Sequence, residues 1–160
     1  MSEENVVKSK MTLTFQLNQI SENEQNPLLT DAEFSVLDLE VSGNNQRLED
    51  GTVEEALPLI NNMPILAKYY PVTEAGAEDD NFGDHEQIID FDRDGNEFVT
   101  TGTIPIGHFV TNGRYETVDG KENVVVANAV LYSDKYPNQV ALLESLLEQG
   151  IKINTSCEYY

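Results

Sequence analysis

Basic residues are scarce in this chain. Nine lysines and arginines face 29 aspartates and glutamates across 160 residues, a formal net charge of −20. Nucleic-acid binding through phosphates needs Lys/Arg patches, and none is visible, so nucleic acid is not expected as a partner. Anionic membrane surfaces are excluded for the same reason. Cysteine is scarcer still. Cys157 stands alone, which rules out an intramolecular disulfide and fits a reducing compartment. No apolar run approaches the roughly 20 residues of a membrane helix. The start, Met1-Ser2-Glu3-Glu4-Asn5, lacks the apolar core of a signal peptide. Only two histidines are present, His85 and His108. With no cysteine pair beside them a zinc site is not expected, and no metal or cofactor is expected at all.

What remains is a chain that is 39% hydrophobic, long enough for one domain with a substantial core. Residues 1–10 have no period and are expected to be flexible. Met11–Leu17 and Ala32–Val41 alternate apolar and polar residues, the pattern of half-buried strands. Ser21 to Pro27 reads as a loop, and Ser42-Gly43-Asn44-Asn45 as a turn. Thr52-Val53-Glu54-Glu55 fits a capping box, with Thr52 at the N-cap of a short helix running toward Asn61-Asn62 through Pro58. Met63–Tyr70 starts a third strand. Two hairpins follow. One turns at Asp92-Arg93-Asp94-Gly95-Asn96, and the other at Asp119-Gly120, since Asp-Gly accepts the positive φ of a tight turn. Ser133 or Asp134 then caps a helix over about residues 136–149, with Val140, Leu143, Leu146 and Leu147 on one face and Gly150 as the stop. The last strand occupies 151–159. The fold class read from this order is α+β: one β-rich domain over 1–160, with a mainly antiparallel, barrel-like sheet and about two packed helices.

Three places invite chemistry. Asp90-Phe91-Asp92-Arg93-Asp94-Gly95 matches the first half of a calcium EF-hand loop. Its twelfth position is Thr101 rather than a bidentate Glu, and its flanks read as strands, so a hairpin without tight calcium binding is expected. His85 follows a Gly-containing acidic loop and precedes a strand, a good position for a side chain aimed over a sheet edge. Asn154, Ser156 and Glu158 fall on one face of the last strand, opposite Ile151, Ile153, Thr155 and Cys157. Ser156 then lies away from the core, and Cys157 is an inert buried thiol. A base, a nucleophile and a carboxylate are the parts of a hydrolytic serine site.

Several segments in order resemble the phage prohead (head-maturation) serine proteases, relatives of herpesvirus assemblin. They are Phe34–Asp38 with Gly43-Asn44-Asn45-Gln46-Arg47, Glu54-Glu55-Ala56-Leu57 through Met63-Pro64-Ile65-Leu66, Phe82-Gly83-Asp84-His85, Asn123–Val126 through Tyr136-Pro137, and Thr155-Ser156-Cys157-Glu158-Tyr159. The resemblance covers roughly residues 33–160. It implies a serine endopeptidase that processes capsid and scaffold proteins during head maturation, with Ser156 as nucleophile and His85 as base. The third member is open: Glu158 is near Ser156 in sequence, Asp84 neighbours the base, and the herpesvirus relatives use a second histidine, for which His108 is the candidate. The implied partners are phage capsid and scaffold proteins, with self-association in the prohead, and the implied location is the host cytoplasm inside the assembling head. Many relatives continue into a helical scaffolding region after the nucleophile strand, so the resemblance implies that this sequence is a fragment or a processed form of a longer protease–scaffold protein. A catalytically silent head or scaffold protein of the same fold, and an unrelated acidic β-rich binding module, stay open as alternatives.

Overall fold

The computed structural model describes residues 11–37, 50–71, 81–82, 88–100, 102–151 and 153–159. The strands are β1 (Met11–Glu22), β2 (Thr30–Leu37), β3 (Pro64–Ala67), β4 (Tyr69–Tyr70), β5 (Asn81–Phe82), β6 (Ile88–Phe91), β7 (Glu97–Thr100), β8 (Ile104–Phe109), β9 (Arg114–Val118), β10 (Lys121–Leu131) and β11 (Asn154–Tyr159). The helices are α1 (Asp50–Ala56), continued by a 3-10 turn at Leu57–Leu59, and α2 (Pro137–Glu148). The chain is therefore α+β and β-rich, with two α-helices among the described residues. Its described strand pairings are antiparallel. The main sheet runs β11-β1-β2-β10-β8-β3, with β9 also on β10, while β4-β5 and β6-β7 form separate pairs.

Alternation builds the core. Along β10, Val125, Ala127, Ala129 and Leu131 are almost wholly buried, and along β2 so are Ala32, Phe34 and Val36. Register brings Ala127 opposite Phe34 and Ala129 opposite Phe109. Each alanine leaves room for a ring, and the two rings meet edge to face with centroids 5.8 Å apart, a favoured aromatic geometry. Val53 of α1 and Val140 and Leu143 of α2 join this layer, with Leu146 and Leu147 packed at its margin.

Both hairpins form at the expected turns. Asp119 and Gly120 both have positive φ (51° and 81°), the pair that a two-residue type I′ turn needs. At the other turn Asp92 N–H bonds Asn96 O at 2.9 Å, Gly95 N–H bonds Asp92 O at 3.0 Å, and Gly95 carries φ 83°. The strands flanking this Asp-rich turn differ from the helices of an EF-hand.

The structure also corrects the local reading. β1 extends to Glu22 because Gln19–Glu22 pair with Thr30–Glu33 across a bulge at Asn18; the loop is displaced from Ser21–Pro27 to residues 23–29. α1 begins at Asp50, so Thr52 lies inside the helix rather than at its N-cap. The α-helix stops at Ala56, and Pro58 falls at the start of the 3-10 turn, where a missing N–H costs no bond. Met63–Tyr70 is two strands, not one: β3 pairs with β8, and after Lys68 β4 pairs with β5. Helix α2 has Tyr136 at its N-cap with no side-chain cap, and Pro137 opens it. Ser133 and Asp134 are used elsewhere, both donating to Leu28 O at 3.2 Å. The last strand begins at Asn154 rather than 151. The Asn44-Asn45 turn and the end of the second expected strand lie outside the described residues, as do residues 1–10.

Gly107 is the tightest point of β8. A Cβ there would stand 2.3 Å from Val130 O and 3.1 Å from Leu131 Cα, both backbone atoms of the neighbouring strand that cannot swing aside. Gly107→Ala is expected to lower stability by about 3 kcal/mol, read as a reduced midpoint in chemical denaturation.

Candidate functional site

Ser156 reaches its place through the end of α2. Gly150 takes φ 71°, its N–H bonds Leu147 O and that of Ile151 bonds Leu146 O, each at 3.0 Å. This double bond pattern is a Schellman stop, available at low cost to glycine. The chain turns back at once, and β11 joins β1 as the terminal strand of the main sheet. Ser156 pairs with Thr14, Glu158 with Thr12 and Asn154 with Gln16, while Thr155 and Cys157 pair with Phe15 and Leu13. Leu17 is fully buried and Gln16 only half so. Ser156 and Glu158 therefore sit in the register phase of Gln16, and Cys157 in that of Leu17.

His85 and Asp84 lie outside the described residues. Their flanks are placed: Phe82 in β5 stacks edge-on against Tyr69 in β4 with centroids 6.0 Å apart, and β6 begins at Ile88. β4 follows directly on β3, the strand at the opposite end of the sheet order from β11.

His108 is the penultimate residue of β8, opposite Val130 and Pro64. Its Nδ1 is 2.7 Å from the Tyr132 hydroxyl, and the two rings tilt together at 5.7 Å. Four strand spacings separate β8 from β11 in the sheet order, about 19 Å along the sheet.

The sheet face away from the core carries a polar network that the sequence reading missed. A shallow concavity of about 500 Å³ is lined in part by Gln19, Asp31, Glu33, Thr111 and Asn128. At its margin the Arg114 guanidinium donates to Asn128 Oδ1 at 2.6 Å, Glu116 Oε1 at 3.0 Å and Glu33 Oε2 at 3.4 Å. Asn23 Nδ2 holds Asp31 at 2.8 Å, and Asn18 exchanges bonds with Ser35. The signal was present in the polar phase of β2, Asp31, Glu33 and Ser35, between its buried apolar residues. These groups satisfy one another, and partly exposed ion pairs of this kind add little stability. The network therefore orients the outer face.

The Asp92 carboxylate is likewise occupied. Its Oδ1 accepts from the N–H of Asp94 (2.9 Å) and Asn96 (2.8 Å), and Oδ2 from Asn96 Nδ2 (3.2 Å). Among the described residues no three His, Cys, Asp or Glu side chains gather as a metal-ligand group. The bonds from Asn96, backbone first and then side chain, hold the Asp92 carboxyl below its ordinary value of 3.8. A depressed folded value means that the turn gains from ionised Asp92 above the unfolded value and loses that gain as pH falls through the folded value. A carbon-detected NMR titration should show the Asp92 carboxyl titrating below its ordinary value, with the Asn96 amide shift following the same curve.

No described helix is long and apolar enough to cross a membrane. Comparison with known proteins gives one family and one relative. The model of the YonD N-terminal domain family matches residues 28–160. The chain is 38% identical over 154 residues to the SPbeta prophage-derived uncharacterized protein YonD of Bacillus subtilis (strain 168). That match covers 94% of this chain and 32% of the relative, so the chain spans about a third of the relative's length. No solved structure matches.

Proposed function

The chain belongs to the YonD N-terminal domain family, and from its resemblance to the prohead proteases we propose that it is a serine endopeptidase domain processing scaffold and capsid proteins during phage head maturation. Ser156 is the nucleophile, His85 the base that takes its proton, and Glu158 the orienting carboxylate. The substrates are phage capsid and scaffold proteins, met in the host cytoplasm inside the assembling prohead, where copies of the domain self-associate. The observation that carries the reading is the run from α2 through the Gly150 stop into β11, which sets Ser156 and Glu158 in one phase of a terminal strand. The prophage origin of the relative agrees with it, as does that protein's length, three times the matched part, which leaves room for a scaffold region.

The chemistry is acyl transfer. Ser156 attacks a peptide carbonyl as His85 accepts its proton. His85 then protonates the leaving amine, and water hydrolyses the acyl-enzyme by the reverse sequence. This proposal ties the site to the finer architecture. β11 stands at one end of the strand order, and the segment holding His85 follows β3 and β4 from the other. Bringing the two side chains together needs the sheet to curl into a barrel that joins those ends. Co-expression with capsid and scaffold proteins of the same phage, comparing the wild type with Ser156→Ala and read on a gel, tests the activity.

A second reading, an acidic β-rich binding module, is favoured by one feature: the β6–β7 hairpin exposes apolar residues on both faces. The two readings part in the same experiment, since a binding module leaves the head proteins uncut.

A further inference from the structure

The β6–β7 hairpin stands apart from the main sheet. Its pairing sets Ile89 opposite Val99 and Phe91 opposite Glu97, with Ile88 opposite Thr100 and Asp90 opposite Phe98. Side chains alternate, so Ile89, Val99 and Phe91 share one face, and Ile88 and Phe98 the other. The faces are unequal. Ile88 and Phe98 are 42% and 44% exposed, and Ile88 reaches toward Gly102, 3.2 Å from the site of a Cβ there. Ile89, Val99 and Phe91 are 65%, 62% and 59% exposed. No described residue covers this second face. An isolated two-stranded hairpin is marginal in water, and a contiguous exposed apolar patch marks an interaction surface.

Charge selects the occupant. Residues 88–100 hold four carboxylates, Asp90, Asp92, Asp94 and Glu97, against a single basic residue, Arg93. The apolar face is thus framed by negative charge. A second copy of a chain with net charge −20 would bring like charges together at the rim, which disfavours pairing. A partner with apolar side chains flanked by lysine or arginine meets both requirements.

We propose that the Ile89–Phe91–Val99 face of the β6–β7 hairpin is a docking surface for a basic, apolar segment of a partner protein. The proposal does not rest on the serine site. The apolar face supplies affinity by leaving water, and the surrounding carboxylates set orientation and speed encounter.

The test uses two synthetic peptides of equal length and charge, one alternating lysine with leucine and one alternating lysine with serine. They are titrated into the full chain while backbone amide shifts are followed. The lysine–leucine peptide is expected to bind at least tenfold more tightly, with its shifts centred on Ile88–Thr100. The double variant Ile89→Thr, Val99→Thr keeps the charges and the β-branching of both positions, and it should lose that tenfold preference. Equal affinity for the two peptides would reduce the effect to charge alone and overturn the proposal, as would shifts centred elsewhere or an unchanged preference in the variant. Dimerisation of the free wild type that the variant abolishes would assign the face to a second copy instead. Retained cleavage with lost peptide preference would leave the serine site standing, so the two proposals fail separately.

Discussion

Replacing Ser156 with alanine is expected to abolish cleavage of the head proteins while the domain stays folded. The substitution removes one hydroxyl and leaves no large cavity, so its thermal midpoint should match that of the wild type. The rate is another matter. Without the hydroxyl no acyl-enzyme forms, and loss of a serine nucleophile lowers turnover roughly a million-fold. His85→Ala should be about as inactive, and the double variant no worse than either single one, because nucleophile and base act as a unit. Glu158→Gln keeps shape and removes charge. If Glu158 orients the base, the loss is smaller, on the order of ten-thousand-fold. Cleavage by Ser156→Ala at the wild-type rate would exclude Ser156, and the silent homologue would become the better account.

The largest structural effect is expected from Phe34→Ala. Phe34 is 2% exposed in the middle of β2 and meets Phe109 edge to face. Both strands that flank β2 frame it, with Leu17 of β1 and Ala127 of β10 as its register partners. Ala127 is too small to fill the space the ring vacates. The cost should be about 4 kcal/mol, the range for removing a buried aromatic ring. At this chain length that lowers the thermal midpoint by about 12 °C. Against a total stability of about 5–15 kcal/mol, the variant should be partly unfolded in mild denaturant. Phe34→Leu, which keeps apolar volume, should lose less than half as much. Equal losses for the two would mean that the ring is not packed as described.

Local signals carried much of the fold. Asp119-Gly120 and Gly95 are positions where the backbone needs positive φ, so those turns were legible residue by residue. The α2 face was legible too, because Val140 and Leu143 repeat at helical spacing and Gly150 ends the helix. Where reading failed, competing partners decided. Ser133 has the chemistry of a cap, yet its hydroxyl bonds Leu28 O, far away in sequence. Thr52 followed by Glu55 has the pattern of a capping box, but the helix already contains Thr52. Strand order was illegible in principle. Nothing local to β11 says that it joins β1 at the other end of the chain, or that β10 is flanked by β2 on one side and both β8 and β9 on the other. For the serine site, the phase of Ser156 and Glu158 follows from period two alone, whereas their distance from His85 depends on sheet curvature, which no short segment encodes. The Arg114 network depends on that same non-local pairing, since Glu33 and Asn128 meet only through the β2–β10 register.

The central claim is that Ser156 and His85 form one site, and the most direct measurement is the distance from Ser156 Oγ to the His85 imidazole in a crystal structure of the full chain. The account predicts hydrogen-bond contact at about 3 Å, with the β11 and β3 ends of the sheet drawn together. A separation beyond about 8 Å, with the two ends apart, would contradict it.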